Sequence, residues 1–308
     1  MTEATVTSPS VGVVILNWNR CALTCECLNS VLALDYPGYE VVVVDNGSTD
    51  NSADVIAAHY PTVGLVRNPT NLGFAAGMNV GIRQALAAGH DYVLLLNNDV
   101  LVDSNLLRVL VKTAEEDRSV GLVVPKIVYY DEPTRVWTIG ARRRRFPPSV
   151  VIIGYQQPDG PAFAHPRWLD AATGCVLLVR SAVFREVGLF DEEFFMYHED
   201  LDLSLRARAA GYRIRYMPEA RARHHESAST SVQSPLRWYY MARYSEPLYR
   251  KHIRWPRLSL LVYAGWVTIR EIIKGQPQVL PPFWHGLVDG LRGSRTLPAS
   301  RAGEQASL

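Results

Sequence analysis

Four short apolar runs, each followed by a polar cluster and separated from the next by a helical pattern, constrain the fold of this chain more than any other feature. The runs are VGVVILNW, YEVVVVD, VGLVRN and DYVLLLNND, which begin at residues 11, 39, 63 and 91. Continuous runs of Val, Ile and Leu that alternate with helices are typical of parallel strands covered on both faces. The pattern therefore predicts an α/β fold with a mostly parallel central sheet and flanking helices.

Polar residues stand where each of these runs ends. They are Asn17 and Asn19, Asp45 and Asn46, Asn68 and Asn71, and Asn97 to Asp99. Sheets of this kind bind ligands at the carboxyl ends of their strands. We therefore expect a ligand site at this edge of the sheet.

The composition argues against several classes of protein. The 308 residues carry a formal net charge of +2, which is too close to balance to indicate a nucleic-acid partner. The first ten residues are polar and lack the basic and apolar regions of a secretory signal. The most apolar stretch, residues 258–273, is short and is interrupted by Arg270 and Glu271, so no membrane-spanning helix is predicted. We expect a cytoplasmic protein.

The chain changes character near residue 234. Before it, GCVLLVR at 174–180 and YRIRYMP at 212–218 predict two more strands, the second closed by Pro218. A helix is predicted between them, from residue 199 to residue 210. After residue 234 the sequence is aromatic, basic and helical, without a sheet pattern. We predict a sheet domain at 1–234, a helical extension at 235–292 and a disordered tail at 293–308.

The segment DNGSTDNS at 45–52 places an acid at a strand end, before a Gly-Ser turn. Asp45 can accept hydrogen bonds from a pyrimidine N–H or from a ribose hydroxyl. The alternative is a plain strand-to-helix turn in which Asp50 caps a helix that runs to about His59. Turn chemistry alone leaves both interpretations open.

The cluster NNDV at 97–100 ends the most hydrophobic run. Oxygen ligands in such a place can hold a hard divalent cation that bridges two phosphates. Asp99 is the better ligand because it is anionic, whereas Asn97 offers a neutral carbonyl. A simply polar strand end remains the alternative.

Acidic residues and a histidine pair provide the remaining chemistry. The acids at the predicted helix start are Glu193, Glu199, Asp200 and Asp202. Helix N-termini favour anions, and Asp202 can pair with Arg206 one turn later, so some of these acids are structural. At least one can face the sheet edge as a general base. The adjacent His224 and His225 are either structural or complete a divalent site.

Taken together and in this order, these segments resemble the family 2 glycosyltransferases, which have the GT-A fold. The resemblance covers residues 11–230 and is carried by VILNWNR, VDNGSTD, NLGFAAGMNVGI, LLLNNDV, TGCVLLVR, GLFDEEFFMYHEDLDLSLRARAAGY and the HH pair. Within the family the chain is most similar to the bacterial rhamnosyltransferase-like branch, which builds surface polysaccharides. The resemblance implies that the sheet domain is a GT-A catalytic domain.

The resemblance assigns a role to each matching residue. Nucleotide-sugar binding is expected of Asn17, Asn19, Asp45, Asn71, Gly73, Asn79 and Asn98, with Asp45 reading a uracil or thymine base. Metal binding is expected of Asp99 and His224, with His225 as the fallback ligand. The first position of the family's D-x-D pattern is Asn97 here. Asp200 matches the catalytic base, and Glu199 would orient the acceptor or the base.

The resemblance also implies a reaction, a single displacement with inversion. Asp200 takes the proton from the acceptor hydroxyl, whose oxygen attacks the anomeric carbon opposite the leaving diphosphate, and Mg²⁺ or Mn²⁺ neutralises the charge that develops there. The expected donor is a dTDP- or UDP-sugar, with rhamnose as the candidate sugar. The expected acceptor is a saccharide or a polyprenyl-diphosphate-linked saccharide in cell-surface polysaccharide synthesis.

Two further segments are basic. The run from Arg142 to Arg145 precedes Phe146 and is either a solvated face or a contact for anionic lipid or a diphosphate headgroup. Residues 236–292 combine Trp and Tyr with Arg and Lys, which suits a membrane surface, a pack against the catalytic domain or a dimer contact. We expect a peripheral protein on the inner face of the plasma membrane.

Two other functions are alternatives to this one. A catalytically silent nucleotide-sugar-binding or scaffold protein of a polysaccharide assembly complex would not need Asp99, Asp200 and His224 together. A nucleotidyltransferase of similar fold would carry a Gly-rich, Lys-containing loop after the first strand, and NWNRCALT does not provide one.

Overall fold

The computed structural model describes residues 8–226 and 234–293. The strands are β1 Val11–Asn17, β2 Tyr39–Asp45, β3 Gly64–Arg67, β4 Tyr92–Asn97, β5 Val100–Val102, β6 Val120–Tyr129, β7 Arg135–Thr138, β8 Ala141–Arg144, β9 Ser149–Ile152, β10 Gln157–Pro158, β11 Arg167–Leu169, β12 Val176–Arg180 and β13 Arg213–His224. The helices are α1 Cys21–Leu32, α2 Ser52–His59, α3 Phe74–Ala87, α4 Leu106–Glu116, α5 Ser181–Val187, α6 Glu199–Ala209, α7 Pro235–His252, α8 Pro256–Ile273 and α9 Leu280–Leu291. The predicted alternation of strands and helices in the first hundred residues is thereby confirmed.

The four apolar runs form the parallel part of the sheet, in the spatial order β3-β2-β1-β4. Their side chains alternate between two buried layers: Val13 and Ile15 pack against α1, α2 and α4, while Val14 packs against α3. Both faces are covered, which explains why these runs are continuously apolar. The registers pair Asn17 with Asp45 and Leu16 with Asn97, so the polar residues that follow the runs meet at one edge.

The second half of the chain extends this sheet with mixed directions. β12 lies antiparallel to β4, and β6, β7 and β10 follow it in that order. β13 runs parallel to β6 and antiparallel to β5 and β11. The α/β architecture with a mostly parallel centre, flanking helices and a C-terminal helical region is as predicted, and β12 coincides with the predicted strand at 174–180.

The prediction that Pro218 closes the last strand is wrong. β13 continues to His224, and its even-numbered residues are buried throughout. Its register against β6 shifts between Met217 and Arg221, so Pro218 lies in a bulge where no ladder hydrogen bond from its nitrogen is needed. The bulge allows the strand to absorb the proline and to carry His224 to the end of the sheet.

The C-terminal helices pack on the sheet domain through α7. Tyr240 stacks on Phe195 at a ring-centroid distance of 5.7 Å, and His252 Nε2 lies 2.7 Å from Asp202 Oδ1. Lys251 forms an ion pair with Asp191. Of the roles considered for this extension, packing against the sheet domain is thus observed for α7. Within the described ranges, no helix has the length and the apolar content needed to cross a membrane. The predicted tail lies, apart from Gly293, outside the described residues.

Candidate active site

A pocket opens at the edge of the sheet where β1 and β4 end. Its walls come from the residues after β1, the residues after β4, the start of α3, the segment before α6 and the start of α7. The lining residues are Leu16, Trp18, Arg20, Leu23, Asn46, Asn71, Gly73, Phe74, Asn97, Asn98, Asp99, Phe195, Met196, Tyr197, Leu236 and Arg237. Asn71, Gly73, Asn98 and Asp99 are thus brought together as the sequence predicts.

Asp45 is not itself among the residues that line the pocket, and hydrogen bonds from its neighbours hold its carboxylate in place. Its Oδ1 accepts hydrogen bonds from Asn17 Nδ2 (2.7 Å) and Ser48 Oγ (2.5 Å), and its Oδ2 accepts one from the Ser48 amide (3.2 Å). Only 3% of Asp45 is exposed. The carboxylate keeps acceptor capacity for a further donor, since an ionised acid offers about four lone-pair sites.

The same network extends from Asp45 to the polar cluster after β4. Thr24 Oγ donates to Asn17 Oδ1 (2.6 Å), and Asn98 Nδ2 donates to Thr24 Oγ (2.9 Å). Asn19 Oδ1 accepts the Thr49 amide (2.7 Å), and Asp50 Oδ1 accepts the Ser52 amide (3.0 Å) at the start of α2. Asn17 and Asn19 therefore position the turn after β2 and do not line the pocket.

Asn46 is the residue that the sequence analysis left without a role. Its Nδ2 donates to Asn71 Oδ1 and to the Gly73 carbonyl, both at 3.0 Å. Its Oδ1 accepts the Asn68 side chain (3.0 Å) and the Leu72 amide (3.2 Å). All of its hydrogen-bonding capacity is therefore used to join the segment 68–73 to the sheet edge. The only feature of the sequence that points to a role for Asn46 is its position directly after Asp45, at a strand end.

Gly73 fixes the pocket wall where α3 begins. Its φ is +86°, and a Cβ added there would lie 2.5 Å from the Phe195 ring. Gly73 is therefore required both by backbone conformation and by the close approach of Phe195.

We expect Gly73→Ala to destabilise the protein more than Gly89→Ala does. Gly89 has a similar φ of +83° but open space around it, so alanine there adds only the strain of the left-handed conformation, about 1–2 kcal/mol. Gly73→Ala adds the clash with Phe195 and should cost roughly 1–3 kcal/mol more. Urea unfolding of the two variants measures the difference, and equal losses would show that Phe195 moves away without cost.

Asp99 lines the pocket and forms a pair with His224, which is not among the lining residues. Antiparallel pairing of β5 and β13 sets His224 opposite Val100, and Asp99 Oδ1 lies 3.3 Å from His224 Nε2. Two buried oxygens here, Asn97 Oδ1 and Asp99 Oδ1, make no hydrogen bond within the described part of the chain. Buried polar atoms are seldom left without partners, so this corner fits a ligand such as a cation.

The protein supplies fewer ligands here than a complete coordination shell for a metal ion requires. Among residues 8–226 and 234–293, no group of three His, Cys, Asp or Glu side chains is placed to hold a metal. One carboxylate, one imidazole and the Asn97 amide oxygen would leave positions for phosphate oxygens and water, the usual ligands of Mg²⁺ beside a nucleotide. His225 is directed elsewhere, because it stacks on Tyr130 and lies 3.3 Å from Glu26.

The two acids at the start of α6, Glu199 and Asp200, follow the lining residues Phe195 to Tyr197 closely in the chain, and neither is itself among the lining residues. Tyr197 and His198 precede them in the left-handed region (φ 68° and 72°) and turn the chain into the helix. Asp200 accepts hydrogen bonds from the Gly174 amide (2.9 Å) and the Leu201 amide (2.7 Å). Glu199 Oε2 is buried and has no hydrogen-bond partner among the described residues.

Burial sets the protonation of these two acids. Desolvation, with the charge of Asp200 as the next cause, raises the pKa of Glu199 well above its usual range. Desolvation also raises the pKa of Asp200, against the backbone amides, which lower it. The backbone hydrogen bonds favour the ionised form at Asp200, whereas Glu199 Oε2 has no such partner among the described residues, so the negative charge is favoured on Asp200 over Glu199.

Asn79 and Asp202 have structural partners away from the pocket. Asn79 donates to the Phe190 carbonyl (2.8 Å) and accepts the Phe190 amide (3.0 Å), which ties α3 to the segment before α6. Asp202 pairs with Arg206, as the spacing predicts, and also with His252 of α7. Neither residue lines the pocket.

Comparison with known proteins identifies the class. The family model described as "Glycosyltransferase like family 2" matches residues 9–241. The fold and the site therefore define a glycosyltransferase, an enzyme. The chain belongs to the glycosyltransferase-like family 2, as the resemblance of its motifs predicts.

The relatives include a rhamnosyltransferase and a glycan biosynthesis hexosyltransferase. An N-acetylglucosaminyl-diphospho-decaprenol L-rhamnosyltransferase of Mycobacterium tuberculosis is 28% identical over 274 residues, which cover 79% of this chain and 87% of the relative. The low-salt glycan biosynthesis hexosyltransferase Agl10 of Haloferax volcanii is 24% identical over 84% of this chain and 85% of its own.

Solved structures share the fold at lower identity. The mannosyltransferase PcManGT of Pyrobaculum calidifontis, in complex with GDP-Man and Mn²⁺, matches with a TM-score of 0.58 and 20% identity over 98% of this chain and 80% of its own. GalNAc-T7 with UDP, GalNAc and Mn²⁺ matches with a TM-score of 0.59 and 18% identity. That match covers 77% of this chain but only 48% of GalNAc-T7.

Proposed function

We propose that this enzyme transfers a sugar, with rhamnose as the candidate, from a dTDP- or UDP-sugar to a saccharide or polyprenyl-diphosphate-linked acceptor in cell-surface polysaccharide synthesis. The observation that carries the proposal is the pocket that joins the Asn97-to-Asp99 cluster to two arginines, Arg20 and Arg237. A nucleoside diphosphate needs positive charge at its phosphates, and arginine supplies it in bidentate form. The relationship to the mycobacterial rhamnosyltransferase supports the choice of sugar and of acceptor class.

A divalent cation fits the corner formed by Asp99, His224 and Asn97. Asp99 and His224 would hold it, and the Asn97 amide oxygen, which has no hydrogen bond of its own within the described residues, would complete the protein's share. When bound, Mg²⁺ or Mn²⁺ would neutralise the charge that grows on the leaving diphosphate. The two solved structures with Mn²⁺ support a cation of this kind for the fold.

The protein's own residues account for the rest of the reaction. Asp200, whose ionised form is favoured by two backbone amides, accepts the proton of the acceptor hydroxyl. The raised pKa of Glu199 favours its protonated form, which avoids a second negative charge beside that base. Asp45, through its remaining lone pairs, reads a base N–H, and Asn46 holds Asn71 and Gly73 against the donor. The acceptor oxygen then displaces the diphosphate with inversion.

Nucleotide binding tests this proposal first. We expect the melting temperature of the purified protein to rise with UDP or dTDP in the presence of Mn²⁺, and to rise less without the metal. A ligand at a hundredfold excess over its dissociation constant adds about 2.7 kcal/mol of stability. GDP and CDP are the matched comparisons, because they carry the same diphosphate. A larger shift with either of them would contradict the assigned base, and no shift with any nucleotide would contradict the donor site.

The proposed acceptor class supports a location at a membrane. Polyprenyl-linked saccharides reside in the bilayer, so we propose that the protein works as a peripheral protein on the inner face of the plasma membrane. The helical extension at 235–292 is the segment proposed to associate with it.

A further inference from the structure

Helix α8 turns an apolar face to solvent. Its exposed side chains Leu258, Leu261, Ile269, Ile272 and Ile273 have between 56 and 79% of their surface accessible. A helix on the surface of a globular protein normally shows polar residues on its outer side. The outer side of α8 is therefore an apolar stripe without a partner in the described structure.

The helical positions show that this stripe is one continuous face. The buried side of α8 is formed by Leu260, Ala264, Val267 and Glu271, which pack toward α7 and α9. At 100° per residue, the five exposed apolar residues span about 120° of the helix and are centred opposite the buried side. Val262 and Gly265 fall inside the same arc, so no charged side chain interrupts the stripe.

Positive charge surrounds the stripe. Residues 253–293 contain five basic residues, Arg254, Arg257, Arg270, Lys274 and Arg292, against two acids, Glu271 and Asp289. Both acids are engaged within the protein: Glu271 is buried beside Arg270, and Asp289 accepts the Tyr239 hydroxyl at 2.7 Å. The surface around the stripe therefore carries a net positive charge.

The arginine run lies at the edge of this stripe. Arg142 to Arg144 form most of β8, which pairs with β9 in a hairpin, and the side chains from Arg142 to Phe146 are exposed. The Arg144 guanidinium lies 5.1 Å from the ring centroid of Trp266, which is one turn from Val262 and from Ile269. Tyr249 of α7 donates a hydrogen bond to the Pro148 carbonyl and anchors the hairpin there.

Phe146 adds an apolar tip to the arginines. It is 77% exposed between Arg145 and the hairpin's return strand. An exposed aromatic flanked by arginines suits the boundary between lipid headgroups and acyl chains.

We propose that the outer face of α8 and the β8–β9 hairpin form one docking surface for an anionic lipid bilayer. The inference takes further the membrane association proposed above and names the residues that carry it. The apolar stripe would enter the acyl boundary while the arginines contact lipid phosphates. A partner protein of ordinary surface would not require apolar residues and an excess of positive charge in this combination.

Vesicle sedimentation of the full chain, without donor or acceptor, tests this surface independently of sugar transfer. Vesicles of phosphatidylcholine alone are compared with vesicles of equal parts phosphatidylcholine and phosphatidylglycerol. We expect binding to the anionic vesicles, weakened by salt. The double variant Leu261→Gln/Ile269→Gln should lower the partition coefficient by at least roughly tenfold. Arg143→Gln/Arg145→Gln should lower it by roughly fivefold for each arginine removed.

Matched controls separate this surface from general effects. Leu32→Gln removes an apolar side chain that is 42% exposed on α1, and Arg118→Gln removes an exposed arginine between α4 and β6. Neither should change the partition coefficient. Melting temperatures with UDP or dTDP and Mn²⁺ show that each variant is folded and keeps its donor pocket, whatever happens to vesicle binding.

Three outcomes would overturn the proposal. They are absence of binding to anionic vesicles, equal binding to neutral and anionic vesicles, and equal loss in the control variants. Sedimentation velocity measures whether the outer face of α8 instead binds a second copy of the chain. A dimer that Leu261→Gln/Ile269→Gln dissociates, without vesicle binding by the wild type, would make this face an interface between copies.

Discussion

Replacing Asp200 by Asn will lower kcat by about 10³-fold and leave donor binding intact, because the amide keeps the shape of the carboxyl group but cannot take the proton of the acceptor hydroxyl. Loss of transfer can be separated from loss of donor binding at this position, because Asp200 is held by the amides of Gly174 and Leu201 and is not among the residues that line the pocket. Transfer to a saccharide acceptor measures kcat. The shift in melting temperature with nucleotide and Mn²⁺ measures donor binding and reports folding.

The control for this variant is Glu193→Gln. Glu193 lies in the same segment, but it is an exposed acid that pairs with Arg250 and Lys251 at the surface. Its removal should change kcat by less than about threefold, because exposed ion pairs contribute little. An Asp200→Asn enzyme of nearly wild-type rate would exclude Asp200 as the base. Glu199, the buried acid beside it, would then be the residue to test.

Replacing Asp99 by Asn will abolish the part of nucleotide binding that depends on Mn²⁺. Asp99 is the anionic ligand of the corner that it forms with His224, so its loss should weaken metal affinity by about 100-fold or more. The measurement is the difference in melting temperature between nucleotide with Mn²⁺ and nucleotide with a chelator. We expect this difference to vanish, with transfer activity falling in parallel.

Asp103→Asn provides the matched change. Asp103 is four residues away, more exposed, and lies 4.0 Å from Arg223 at the surface. The metal-dependent difference should survive in this variant. If it survives equally in Asp99→Asn, the cation is held elsewhere, and the unpartnered Asn97 Oδ1 needs another ligand.

The fold of the first hundred residues could be predicted because a strand that is buried on both faces is apolar at nearly every position. β1, β2 and β4 are each within two residues of the apolar runs that predict them. The place of the site followed from the same pattern, since parallel strands bring their carboxyl ends together. Asn71, Gly73, Asn98 and Asp99 do meet there.

The extension of β13 past Pro218 differs from the prediction although the sequence contains a signal for it. Apart from Met217 and the terminal His224, RIRYMPEARARH alternates polar and apolar side chains with period two, and the buried residues follow that alternation. The proline predicts a strand end because it cannot donate to a ladder. Whether a bulge accommodates it depends on the neighbouring strand, which local sequence does not specify.

The wall opposite the sheet edge could not be read from local patterns at all. Leu236 and Arg237 reach the pocket because α7 packs on Phe194 and Phe195, more than forty residues earlier in the chain. Asn46, by contrast, was visible at a strand end but received no role, because its four partners belong to a segment that begins twenty-two residues later. Asn79 matched a family motif, yet its side chain serves the joint between α3 and Phe190.

The bulge in β13 determines the register between β13 and β6 beyond Met217. Between Met217 and Arg221 the chain advances four residues while β6 advances one, from Pro125 to Lys126. With two residues fewer in that stretch, the inward alternation would survive, and the core would still be filled by every second side chain. A different side chain would then lie beside Asp99, and His224 would be displaced along the strand. The number of residues in this short stretch, more than their identity, thus determines whether the imidazole and the carboxylate come within reach of the same ion.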